Sequence, residues 1–173
     1  MTAAAPPAVP LADHPPLPAR AAELVRTLGL QPHPEGGFYG EVFRSTALVE
    51  PADGRGPRTA LTTIDFLLAA GQCSAWHRVR SDEVWHLLEG GPLQLWLLAP
   101  DLGRVEAVEL GPRCRRHVVP AGTWQAAESL GEHAYVGATV GPGFDYADFG
   151  FGRDDPALCD TIDRLAPALR RLL

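Results

Sequence analysis

Residues 71–90, GQCSAWHRVRSDEVWHLLEG, hold two histidines and three carboxylates. Imidazoles and carboxylates bind metal ions or move protons near neutral pH, so the question is which of them face one another. In a strand, side chains two positions apart share a face. His77 and Val79 then share one face of a first strand, SAWHRV, while Glu83, Trp85 and Leu87 share one face of a second, DEVWHLLEG. A hairpin through Arg80, Ser81 and Asp82 sets the imidazole beside the carboxylate over one concavity. His86 falls with Val84 and Leu88 on the opposite face, unless a bulge near Ser81 reverses the parity. His33, His117 and His133 lack comparable neighbours and read as surface or structural residues.

The elements around this window are mostly short strands. TALTTIDFLLA, SAWHRV, DEVWHLLEG, PLQLWLLAP, RVEAVELG, RHVVPAG and EHAYVGATVG are apolar runs separated by turns such as GGP, DLG and PAG. A strand roughly every eight to twelve residues predicts an all-β sandwich or barrel. PARAAELVRTLGL (18–30) reads as an amphipathic helix with Leu24, Val25 and Leu28 on one face and Gly29 as its stop. QPHPEGGFYGEVFRS reads as a turn feeding a strand, and ADGRGPR (52–58) as a loop. Residues 155–173 return to helical spacing, capped by Asp155 and interrupted by Pro167. The predicted organisation is a disordered Ala/Pro-rich leader (1–17), a barrel domain with an N-terminal helix (18–154) and a C-terminal helix packed on it (155–173).

Composition narrows the function. The chain has 173 residues, 46% hydrophobic, with a formal charge of −6, which argues against nucleic acid as the main partner. All fifteen basic residues are arginine, so Schiff-base chemistry and a Walker-type phosphate loop are excluded. Cys73, Cys114 and Cys159 form no C-x-x-C pair and read as reduced thiols in a cytoplasmic protein. The leader lacks the basic start and apolar block of an export signal, and no window is apolar enough for a membrane span.

Gly71, His77, Val79, Glu83 and Gly90 carry the spacing of the first motif of the cupin superfamily, with Val79 where a second histidine usually stands. Pro120, Gly122 and Gln125 follow the second motif, with Gln125 in place of its histidine and Cys114 in place of its first glycine. HPEGGFYGEVFRS, SAWHRVRSDEVWH, VPAGTWQAAE and GPGFDYADF further resemble an uncharacterised branch of the cupins over residues 24 to 152. The resemblance implies a single cupin-type β-barrel (a double-stranded β-helix, jelly-roll-like) with a pocket at one mouth and assembly as a homodimer. It also implies a divalent metal on His77, Glu83 and Gln125, weakened by the loss of two imidazoles.

Two chemistries stay open for the window. With a metal, these three side chains are ligands. Without one, His77 is an acid or base whose orientation Glu83 sets. Glu35 and Tyr39 of HPEGGFY add a carboxyl and a phenol at the barrel mouth, with Arg44 to meet an anionic group; the same residues also serve as an ordinary turn and strand start. Phe66, Trp85 and Trp124 are expected as pocket walls, with Gln125 and Glu128 as polar ligand contacts. The functions compatible with these residues are a metal-independent isomerase, epimerase or lyase on a sugar- or nucleotide-like polar substrate, a metal-dependent enzyme, and a non-catalytic ligand binder or sensor.

Overall fold

In a computed structural model, residues 15–173 together with Pro7 and Pro10 are described. Most of the expected leader therefore lies outside the described residues. The first element, α1 (Ala19–Leu28), is built from good helix formers and ends where Gly29 takes φ 65°, closing the last turn onto the Val25 carbonyl. Ala21, Leu24 and Val25 are buried on Phe38, Leu67 and Ala69, whereas Leu28 stays 41% exposed.

Thirteen strands follow among the described residues. Six of them, β1 (Gln31–Pro32), β2 (Phe38–Arg44), β5 (Thr62–Ala69), β7 (Asp82–Gly90), β10 (Arg116–Val119) and β12 (His133–Gly141), form one antiparallel sheet in the order β1-β2-β5-β12-β7-β10. The second sheet runs β13-β6-β11-β8-β9, from β6 (Cys73–Val79), β8 (Leu93–Leu98), β9 (Val105–Leu110), β11 (Trp124–Ser129) and β13 (Phe149–Phe151). A two-stranded ribbon, β3 (Leu48–Val49) with β4 (Arg58–Thr59), stands apart. The inner faces meet in an apolar layer that includes Phe66, Trp85, Leu95 and Val136. This is an all-β barrel with short flanking helices.

One expectation is corrected. β6 and β7 are not paired as a hairpin: β6 pairs with β11 and β13, β7 with β10 and β12. Arg80 and Ser81 form a corner that carries the chain from one sheet to the other. His77 and Glu83 therefore project from opposite walls of the barrel, not from neighbouring strands. β11 and β13 are further strands, outside the apolar runs read from the sequence.

At the C-terminus, α2 (Pro156–Leu165) begins at Asp155, whose carboxylate accepts the Leu158 N–H. Pro167 splits off a 3₁₀ turn (Pro167–Leu172). Leu158, Ile162, Leu169 and Leu172 pack with Trp76, Leu98 and Trp124 on the outer face of the second sheet.

The segment from Phe144 to Asp148, which walls the barrel mouth, is anchored by a buried ion cluster. Asp148 accepts two bonds of 2.8 Å from Arg58 and one of 3.0 Å from Arg55, and its side chain is 4% exposed. Removing a carboxylate from such a site leaves two guanidinium groups side by side with only the half-exposed Asp53, 3.4 Å from Arg55, to offset them. Asp148→Ala should cost about 3–5 kcal/mol, whereas Asp163→Ala, at an exposed pair with Arg170, should cost about 0.5 kcal/mol or less. Urea midpoints for the two variants measure the difference, and equal small losses would contradict this account.

Candidate functional site

The HPEGG turn is where the sequence brings its chemistry together. Gly36 and Gly37 adopt φ 112° and 69°, and a side chain at either would strike backbone: Cys73 O at 2.1 Å and Leu67 O at 2.5 Å. Only glycine permits this crossing over β6 and β5. The crossing is held by the Ala75 N–H donating to the Glu35 carbonyl at 2.9 Å. It delivers the Glu35 carboxylate to β6, where Oε2 accepts from Ser74 Oγ at 2.8 Å and lies 3.3 Å from His77 Nδ1.

His77 Nδ1 also lies 2.8 Å from the Ala75 carbonyl. A carbonyl can only accept, so Nδ1 carries the proton and Nε2 of the neutral ring keeps its lone pair. The ring is 3% exposed and stacks on Phe149, with centroids 5.6 Å apart. His33 sits on the other side of Glu35. Its Nδ1 accepts the Glu35 N–H at 3.2 Å, and burial lowers its pKa, with Glu35 opposing and His77 reinforcing the shift, so it stays neutral.

The facing wall presents Glu83, 7% exposed. Gln125 lies behind it: its Oε1 accepts from Trp85 Nε1 at 3.0 Å and its Nε2 donates to Glu83 Oε2. Indole N–H can only donate, which fixes the amide's orientation and leaves the amide nitrogen for Glu83. Burial pushes the Glu83 carboxyl up to about 7; nearby His77 and the bond from Gln125 restrain the rise, and Glu35 adds to it. A carboxyl held this way exchanges its proton near neutral pH.

Between the walls lies a cavity of about 120 Å³, room for several water-sized groups. His77, Glu83, Glu35, Tyr39, Phe66 and Trp85 line it, as do Phe144 and Tyr146 from the anchored segment. Val79 contributes an apolar surface. Arg44 reaches the rim but is committed: its guanidinium bonds to both Glu41 oxygens and to the Phe144 carbonyl. An anion contact at Arg44 would therefore have to displace Glu41.

Several expected contacts lie elsewhere. Trp124 does not rim this cavity; it packs with Leu158 and Ile162, and the Arg78 guanidinium sits 4.3 Å above its ring. Glu128 is turned to the outer face, where it takes Trp96 Nε1 at 2.9 Å and Arg171 at 2.7 Å. The carboxylate that orients His77 is Glu35, not Glu83. His86 lies on the face opposite Glu83, paired with Arg116 and Gly137. The residues missed are His33, Ser74, Phe144 and Tyr146. The spacing of His33 two positions before Glu35 signals one of them, and Phe144 and Tyr146 lie in the GPGFDYADF signature.

The metal that the resemblance implies finds a poor donor set. Gln125 spends its oxygen on Trp85 and Val79 offers nothing, which leaves only His77 Nε2 and the Glu83 carboxylate of the implied set. Among the described residues no three His, Cys, Asp or Glu side chains gather to hold an ion. Nor is any described helix long and apolar enough to cross a membrane.

Comparison with known proteins agrees with this fold. The sequence profile described as cupin superfamily (DUF985), Cupin_5, matches residues 22–152. A hypothetical protein from Leishmania major is 31% identical, with a TM-score of 0.74 over 88% of this chain and 95% of that one. An uncharacterised protein of Saccharomyces cerevisiae is 28% identical over 159 residues, 80% of this chain and 79% of its own. Oxalate decarboxylase from Bacillus subtilis shares the fold alone, at 14% identity and a TM-score of 0.53, this chain spanning 35% of it. By its barrel and by the match over residues 22–152, the chain belongs to the Cupin_5 family of the cupin superfamily.

Proposed function

We propose that the cavity is a proton-transfer site, and that the protein is an isomerase, epimerase or lyase acting on a small polar molecule of sugar- or nucleotide-like character. The observation that carries this reading is the pairing across the barrel of a tautomer-fixed imidazole with a carboxyl that titrates near 7. His77 Nε2 takes a proton from a carbon beside a carbonyl, breaking C–H and forming N–H. Glu83 then delivers its proton from the opposite wall, at carbon for an epimerisation or at oxygen for an enolisation. Both groups are reset by solvent, and no oxidant or reductant enters. Glu35 is a positioning residue, holding the His77 ring and offsetting positive charge as it develops. Tyr39 stands ready to hydrogen-bond the substrate's oxygen.

Solvent-exchange measurements test the reading. Candidate sugars, sugar nucleotides and sugar acids are incubated in D₂O, and deuterium incorporation at carbon is followed by mass spectrometry. His77→Asn keeps an N–H for the Ala75 carbonyl while removing the base, so exchange should fall by about 10²–10⁴-fold while thermal-shift evidence of binding survives. Ligands that bind the native protein without any exchange would make it a binder or sensor. Stoichiometric metal in chelator-free protein, lost on His77→Ala, would replace the reading with metal chemistry.

Glu83 also leaves a mark on stability. Unfolded, its carboxyl releases its proton near 4.5, whereas folded it holds it up to about 7. Between those values the native state binds more protons, so stability falls as pH rises through the window and is fully penalised above 7. The penalty is on the order of 3 kcal/mol. Glu83→Gln keeps an acceptor for Gln125 and cannot ionise. Its stability relative to the native protein should be unchanged near pH 4.5 and should improve progressively toward pH 8, as read by urea unfolding. A pH-independent difference would show that Glu83 ionises normally in the fold.

A further inference from the structure

The outer face of the six-stranded sheet is only half covered by the chain itself. Tyr39, Ile64, Trp85 and Ala138 face the cavity and Val119 the core, so their neighbours along each strand point away from the barrel. Strand register sets these outward residues in two rows. Gly40, Asp65, Gly137, His86 and Arg116 form one; Phe43, Thr63, Thr139, Val84 and Val118 form the other. Phe43, Val118 and Leu88 are each half exposed, Val42 beside Phe43 is more so, and Leu61 closes the far end against Gly141. Five of the ten large apolar side chains exposed among the described residues thus gather on this one face. Leu30 and Leu88 lean over Gly40 and Gly137, which levels it. A flat apolar surface of this extent on a sheet marks a contact with another molecule.

We infer that a second copy of this chain covers the face, the two copies related by a twofold axis that runs across the strands midway between the rows. The helix α1 makes the surface fit its own inverse. It crosses the same face beyond the Gly40 row, over Phe38 and Leu67, and is tied to β7 by Arg20 on Glu89 at 2.7 Å. The face is therefore a step, a level floor walled at one end by a helix. Packed sheets lie about 10 Å apart and a helix is about as thick, so an inverted copy fills the step, each α1 occupying the gap at the other's open end. An axis along the strands would instead stack the two helices and hold the floors roughly 20 Å apart. Charge agrees with the chosen axis: Asp65 of one copy faces Thr63 of the other, Arg116 faces Val118, and no like charges meet. Five strands and three rows make a floor of roughly 24 by 20 Å, so two copies bury about 1,000 Å² before the helices add to it, enough for a specific pair. The floor carries no cluster of basic residues and the chain has a formal charge of −6, which disfavours an acidic lipid surface as the occupant. The same strands carry Glu83 and Trp85 on their inner side, so the contact braces one wall of the cavity. It stands independently of the proton-transfer reading.

Sedimentation equilibrium of the full chain at micromolar concentration tests the inference, and should give twice the 18.5 kDa of one chain. Gly137→Arg sets a charge at the centre of the floor. A Cβ there meets nothing nearer than Leu88 Cδ1 at 3.7 Å, so the barrel itself accommodates the change. Phe43→Arg does the same from an exposed position at the edge of the floor. Each should weaken association by about a hundredfold or more, with the circular dichroism spectrum unchanged. Leu165→Arg, at an exposed apolar residue of α2 on the other side of the barrel, should leave the pair intact. A single-chain mass for the native protein, or a pair that survives both floor variants, would overturn the inference. Dissociation by Leu165→Arg would do so too, by moving the contact to α2. So would a single-chain species that floats with phosphatidylcholine vesicles, which would give the face to lipid.

Discussion

Everything at the barrel mouth depends on one close crossing of backbone over backbone. At Gly36 there is no room for even a methyl group against the Cys73 carbonyl, and at Gly37 the Leu67 carbonyl sets the same limit. Because two glycines occupy the crossing, the chain can lay Glu35 onto β6 and tie its carbonyl to Ala75. A carboxylate then reaches an imidazole that belongs to a strand more than forty positions later in the chain. Without that contact His77 would keep only the Ala75 carbonyl. Its Nδ1 proton would then face no negative charge, and a positive ring would not be supported when Nε2 gains a proton.

The two walls of the cavity obtain their chemistry by different means. On the β6 wall, hydrogen bonds select a tautomer and hold a ring in place. On the β7 wall, exclusion of water does the work, raising Glu83 until its carboxyl is half ionised near neutral pH. The closed barrel serves both, since it buries a carboxyl that an open sheet face would leave solvated. The buried Arg55–Asp148–Arg58 cluster completes the enclosure by fixing the segment that carries Phe144 and Tyr146 over the opening.

Much of this was legible in the sequence, and most of the failures share a cause. Alternation along DEVWHLLEG sorted Glu83 and Trp85 from His86 because one face of β7 is buried and the other is not. The same reasoning had no purchase on β11. Its first four residues are all buried, since the barrel covers one face and the C-terminal turns the other. Alternation therefore could not say that Gln125 points in while Trp124 and Glu128 point out, and the Gln-Ala-Ala-Glu run lacks the β-branched residues that mark a strand. The turn after Val79 misled for a related reason. A hairpin and a corner between sheets both require a short polar connection, and only long-range pairing distinguishes them. His33 escaped for another reason: its contact is local, the Glu35 N–H two positions on, but it is made in a turn that leaves no periodic trace.

The substitutions at Val79 and Gln125 are best understood together. An imidazole at either position would place nitrogen donors beside Glu83 and favour its charged form by supplying a cation site. With valine at one position and a glutamine locked to Trp85 at the other, only His77 and the Gln125 amide act to lower the Glu83 pKa. Burial then dominates and the proton stays on the carboxyl to near neutral pH. The same two replacements that thin out the metal donors thus turn a carboxylate ligand into a group able to give and take a proton. Glu35, delivered from a turn outside both motifs, supplies the negative charge that keeps His77 oriented once Glu83 can be neutral. On the proposed proton-transfer reading, each wall then holds one proton at the start of a cycle, with a lone pair on Nε2 to begin it.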